Sequence, residues 1–177
     1  NNDTLGPIVD FAIHNVDKVQ TVVFQPVSFT GRDEGIDDES RSVRRYTLSQ
    51  MGEDLKLQLN GGLEPMRDWF PLSTYSAFTT VMDVLQGPDA SWGWSACNCH
   101  PNCGVFTLLV VNRRTHEWIP LFDFFNYERF MRDVTAITDT ARGKLLTEGQ
   151  LALAILRNYR ADKAPKGFPV SQIINLF

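Results

Sequence analysis

The sequence predicts an α/β or α+β chain, and three features carry that prediction. A helical apolar period near the start runs directly into a β-rich stretch and a polar tip, the layout of one αβ unit in a parallel-sheet protein. Apolar stripes at helical spacing recur through the middle and the end of the chain. Between them, an apolar run from Val105 to Val111, a polar turn and a second apolar run read as a hairpin. With 177 residues, 43% hydrophobic and 21% charged, the chain is long and apolar enough to bury a core.

The elements follow in order. Gly6-Pro7 marks a helix start, because Pro is tolerated in the first turn. Ile8, Val9, Ala12, Ile13 and Val16 then recur at helical spacing. Residues 19–24 are β-rich and predict a strand, which Pro26 stops. The mixed charges of residues 32–45 read as a solvated loop and helix face. Thr47-Leu48-Ser49-Gln50 is a capping box. It opens a helix with Leu48, Met51, Leu55 and Leu59 on one face, and Gly61-Gly62 ends it. Residues 67–71 are a stop. A helix from Thr74 to Leu85 follows and breaks at Gly87-Pro88. The strand Val105–Val111 turns at 112–115 and returns near Glu117–Leu121. Phe130, Met131, Val134 and Ile137 mark a helix from Tyr127. Thr147-Glu148-Gly149-Gln150 is a second capping-box pattern, expected to open a helix through Leu151, Leu153, Ile155, Leu156 and Tyr159.

Charge and hydropathy exclude several functions. Seventeen basic against 21 acidic residues leave a net charge of −4. Nucleic-acid binding and polybasic membrane anchoring are therefore not expected. No apolar run approaches the roughly 20 residues of a transmembrane helix. Asn1-Asn2-Asp3 is not a signal peptide. With no initiator Met and an apolar ending, the chain reads as a piece of a longer polypeptide, with a processed mature protein as the alternative.

One constellation carries chemistry. All three cysteines, Cys97, Cys99 and Cys103, fall within seven positions, with His100 among them. Thiolate and imidazole ligate zinc and iron–sulfur clusters, and Pro101 and Gly104 impose a tight turn. Three other readings stand beside the metal. They are a disulfide, which is strained for Cys-x-Cys, buried apolar thiols, and a catalytic thiol in which Cys99 or Cys103 works with His100. The spacing does not choose between zinc and iron–sulfur. His14 and His116 read as surface or satisfied residues. Trp92 and Trp94 read as core residues or as a shield for a cluster. Phe122, Phe124, Phe125 and Phe130 read first as core, and otherwise as the lining of an apolar pocket.

Leu5-Gly6-Pro7-Ile8-Val9-Asp10-Phe11-Ala12 and Phe24-Gln25-Pro26-Val27-Ser28-Phe29-Thr30-Gly31-Arg32 resemble the late part of the radical S-adenosylmethionine (SAM) barrel. Cys99-His100-Pro101-Asn102-Cys103-Gly104, before a hydrophobic strand, resembles the C-H-P-x-C-G element downstream of that barrel in the tetraether lipid synthase and pterin-methylating subgroup. The resemblance spans residues 2 to about 125. It implies the last helix–strand units of a (β/α) barrel in residues 1–35, a helical connection in 36–90, and an α+β domain with an auxiliary cluster in 91–177. It implies Cys97, Cys99 and Cys103 as ligands of an auxiliary [4Fe–4S] cluster. It also implies Gln25, Ser28 and Thr30 at a strand tip as contacts to SAM or substrate. The family's C-x3-C-x2-C is absent, so this stretch alone does not hold the catalytic cluster. The implied enzyme functionalises unactivated C–H bonds of a lipid-like or pterin-like substrate. A ferredoxin or flavodoxin would supply electrons. It would be cytoplasmic, and peripheral to the membrane if the substrate is a lipid. The alternative is a zinc-binding interaction module without catalysis.

Overall fold

The computed structural model describes residues 2–26, 35–87, 100, 103–140 and 143–174. They divide into two compact units, Asn1–Arg67 with Val110–Trp118, and Asp68–Leu109 with Ile119–Phe177.

The first unit is built on α1 (Leu5–His14) and α3 (Leu48–Gln58), with the short α2 (Asp38–Arg44) between them in sequence. Each helix starts where the sequence supplies a cap. Asp37 accepts from the backbone N–H of Ser40, and this bond holds its carboxyl below the usual carboxylate range. Thr47 and Gln50 form the reciprocal capping box read from the sequence. Leu5, Val9 and Ile13 bury one face of α1, and Met51 and Leu55 bury the matching face of α3. Gly6 lets the two helices approach. Its N–H donates to Gln58 Oε1 at 2.8 Å, and a Cβ there would lie 2.6 Å from Gln58 Cβ. Lys56 and Glu64 pair at 2.8 Å behind α3.

Residues 19–24 do not form the predicted strand. A β-rich run becomes a strand only when a neighbour takes its hydrogen bonds, and among the described residues none does. Val23 is 81% exposed.

The second unit follows α4 (Pro65–Asp68). It contains β1 (Phe70–Pro71), α5 (Ser76–Gln86), β2 (Val105–Phe106), α6 (Tyr127–Thr140), α7 (Lys144–Asn158) and α8 (Val170–Ile174). The expected strand Val105–Val111 is two strands. β2 pairs antiparallel with β1, Phe70 opposite Phe106 and Pro71 opposite Val105. β3 (Leu109–Val111) pairs instead with β4 (Trp118–Pro120). The two pairings divide the run at Thr107-Leu108. The hairpin loop has the expected four residues but lies one position later. Asn112 N–H donates to Glu117 O, and Asn112 Oδ1 accepts from the N–H groups of Arg114 and Thr115. His116 closes the turn at φ +59°.

α6 begins where Asn126 Oδ1 accepts from Arg129 N–H, and it buries Phe130, Met131, Val134 and Ile137 as its period predicts. α7 starts one turn before the expected Thr147 cap, at Lys144 after Gly143. Thr147 is fully buried, and its hydroxyl donates to Gly143 O at 2.9 Å. It is a helix-interior threonine, because that back-bond and its burial against the core outweigh the capping role. Leu151 and Ile155 face the core, whereas Leu153 and Leu156 are more than half exposed. Asn158 ties α7 to α6. Its Nδ2 donates to Asp133 Oδ2 at 2.9 Å and to Ala154 O at 2.8 Å.

Two glycine substitutions separate close approach from helix propensity. Ala favours a helix over Gly by about 1 kcal/mol. Gly149 has open space around it, so Gly149→Ala raises the unfolding free energy, measured by urea titration, by about that amount. Gly6→Ala meets Gln58 and lowers it, by about 1–3 kcal/mol as for other overpacking changes.

Candidate functional site

The described part of the cysteine motif is a turn held on a ladder. Cys103 N–H donates to His100 O at 2.8 Å. Gly104 follows, and its carbonyl accepts from Leu72 N–H at 3.0 Å, extending the β1–β2 pairing by one bond toward Cys103. A Cβ at Gly104 would stand 2.7 Å from Leu72 Cδ1, the end of a flexible side chain that would have to shift to admit it. The Cys103 thiol is free and exposed.

The ladder rests on aromatic rings. Phe70 packs edge-on against Phe122 and Tyr127, each at 4.6 Å, and Phe106 against Tyr75 at 5.4 Å and Tyr127 at 5.6 Å. These are the edge-to-face contacts that aromatic quadrupoles favour. Thr74 hydroxyl donates to Pro71 O at 2.7 Å, so its oxygen is left to accept from Tyr127 O–H at 3.0 Å. Burial pushes the Tyr127 phenol up to about 12. Phe122, Phe124, Phe125 and Phe130 are all buried, which is the core reading of those rings.

The other site residues are placed unevenly. Gln25 is described and exposed. Ser28, Thr30, Cys97 and Cys99 lie outside the described residues, so their juxtaposition with Gln25 or Cys103 rests on the sequence. Among the described residues no group of three or more His, Cys, Asp or Glu could hold a metal ion. Cys103 itself fits thiolate ligation, being exposed, free and fixed at a backbone turn.

Sequence reading missed one arrangement. His14 and His116, 102 positions apart, stack with ring centroids 4.7 Å apart and planes at 22°. His14 Nδ1 lies 2.8 Å from Asp10 O, and His116 Nδ1 lies 3.4 Å from Ile13 O, a carbonyl in the last turn of α1. Both are satisfied histidines, as expected. The positive φ of His116, at the end of the Asn112 turn, makes the contact, and no local pattern announces it.

No protein-family model matches the chain. It is similar to a 7,8-dihydro-6-hydroxymethylpterin dimethyltransferase of Methanocaldococcus jannaschii, with 27% identity over 180 aligned positions. The alignment takes in 99% of this chain and 34% of that protein, so the chain spans about a third of its relative's length. No helix among the described residues is long and apolar enough to cross a membrane.

The Tyr127 environment gives a measurable pH dependence. The neutral phenol is favoured in the folded state, so its stabilisation is complete below the ordinary tyrosine value of about 10. It is lost as pH rises toward about 12. Tyrosinate absorbance near 295 nm will show a late-titrating phenol that is missing in Tyr127→Phe. The fall in unfolding midpoint above pH 10 will be shallower in that variant.

Proposed function

We propose that this chain is part of a radical SAM iron–sulfur enzyme that methylates, or otherwise functionalises, an unactivated C–H bond of a pterin-like small molecule. The observation that carries the reading is the similarity to the pterin dimethyltransferase along 99% of the chain. The C-H-P-x-C-G turn supports it independently, with an exposed thiol at Cys103. On this reading residues 1–35 complete the barrel, residues 91–177 form the auxiliary domain, and a longer polypeptide supplies the C-x3-C-x2-C segment.

Cys97, Cys99 and Cys103 would hold a [4Fe–4S] cluster, and a bound cluster supplies one-electron chemistry. The chain's own residues have simpler tasks. The β1–β2 ladder fixes where the Cys103 thiol is presented, and Gly104 keeps backbone close behind it. Gln25, Ser28 and Thr30 would offer an amide and two hydroxyls to the polar groups of SAM or substrate at a strand tip.

The test is anaerobic purification of the full-length gene product, with iron, acid-labile sulfide and zinc counted per polypeptide. Cys103→Ala should lower iron and sulfide by about four each, one [4Fe–4S] cluster, while leaving the cluster of the upstream segment in place. Gln25→Ala should weaken SAM binding, by about tenfold for one lost polar contact. About one zinc without sulfide at these cysteines, or iron unchanged in Cys103→Ala, would defeat the cluster assignment. Absence of C-x3-C-x2-C from the full-length sequence would defeat the enzyme family.

A further inference from the structure

Helix α7 is apolar on two opposite faces. Thr147, Leu151, Ala154, Ile155 and Asn158 are buried within the second unit. On the far side Leu145, Leu146, Leu153 and Leu156 are each more than half exposed. At about 3.6 residues per turn, these leucines and Gly149 share a stripe about 100° wide, and α7 places no charged residue in it. A surface helix buries one apolar stripe; a second one, facing water, marks a helix built to be packed on both sides. The stripe is also complementary to itself. Leu146 and Leu156 lie five positions either side of Leu151, and Gly149 and Leu153 lie two positions either side. Nothing stands within 4 Å of a Cβ added at Gly149, so the stripe is notched there.

We propose that this stripe is the seam of a homodimer, in which the α7 helices of two copies pack antiparallel about Leu151. In that register Leu146 meets the partner's Leu156, and Leu153 sits as a knob over the partner's Gly149, each contact occurring twice. A two-fold interface requires one patch to match itself. A stripe shaped for an unrelated segment has no reason to be symmetric about its centre. A seam one helix long belongs to the small interfaces, below roughly 1,200 Å². The dimer therefore exchanges with monomer, with a dissociation constant on the order of micromolar. Dilution separates the copies, so the effect of Gly149→Ala on the single helix is read in dilute solution. The pairing does not depend on which cofactor the cysteines bind.

Sedimentation equilibrium of the full-length gene product, over about 1–100 μM, tests this and should show a monomer–dimer equilibrium. Leu153→Lys, at an exposed position, should raise the dissociation constant by about tenfold or more, with helical circular dichroism unchanged. Leu146→Lys and Leu156→Glu test the register. Each alone sets a charge against leucine and should weaken the pair. Together they face each other twice across the antiparallel seam, so the double variant should pair about tenfold more tightly than either single, an advantage that salt reduces. A monomer at every concentration overturns the proposal and leaves the stripe to another part of the longer polypeptide. A dimer that Leu153→Lys leaves intact also overturns it, because the copies then meet elsewhere. So does a double variant weaker than both singles, the result of a parallel seam that sets lysine against lysine.

Discussion

The pairing of Phe70-Pro71 with Val105-Phe106 is the constraint on which the second unit depends. The ladder is two residues long, and Pro71 has no N–H to give it. Isolated pairs of strands this short are not stable in water. Here the rings beneath supply what the backbone bonds do not: Phe70, Phe106, Phe122 and Tyr127 contact one another edge to face. Hydrophobic burial holds the strands together, and the backbone bonds set their register. Because Cys103 lies two residues before β2, that register decides where its thiol stands.

The helices α6 and α7 are joined by polar contacts centred on the buried Asn158. Asn158 sits at the last turn of α7, its carbonyl accepts from Asn126 N–H, and its amide reaches Asp133 of α6. A buried amide left without partners would be destabilising, and it is bonded here on the nitrogen side. Arg160 N–H donates to Phe124 O, so the exit of α7 and the entry of α6 run side by side. These bonds fix the relative rotation of α6 and α7, which burial alone would leave loosely specified. The same rotation leaves Leu145, Leu146, Leu153 and Leu156 on the outer face of α7.

The candidate site combines strong chemistry with sparse geometry. Thiol clustering is a signal of composition and spacing, so Cys97, Cys99 and Cys103 stand out in the sequence as candidate ligands, without saying of what metal. The turn at His100–Cys103 and the contact of Gly104 with Leu72 belong to the structure. There Gly104 stands against the end of the Leu72 side chain, and its carbonyl takes the Leu72 N–H. Gln25 is exposed, and the strand expected before it is not formed among the described residues. That run has the side chains of a strand without the neighbour that a strand requires.

The sequence by itself determined the helices, because their signals are local. Period 3.6 placed α1, α3, α5 and α6, and the Thr47 box marked the first residue of α3 to within one position. Where the sequence reading erred, burial or a partner outside the local pattern decided. Thr147 has the pattern of a cap, but burial and a bond to Gly143 make it part of the helix. Val105–Val111 has the pattern of one strand, but two different neighbours divide it. Residues 19–24 have β composition, but backbone N–H and C=O groups make a strand only in pairs. The stacking of His14 on His116 depends on the positive φ at the end of a turn 102 residues away. Helical bonds close within four residues, so a sequence window contains both ends of each. Sheet bonds and ring contacts close across the chain, and only the tertiary structure brings their two ends together.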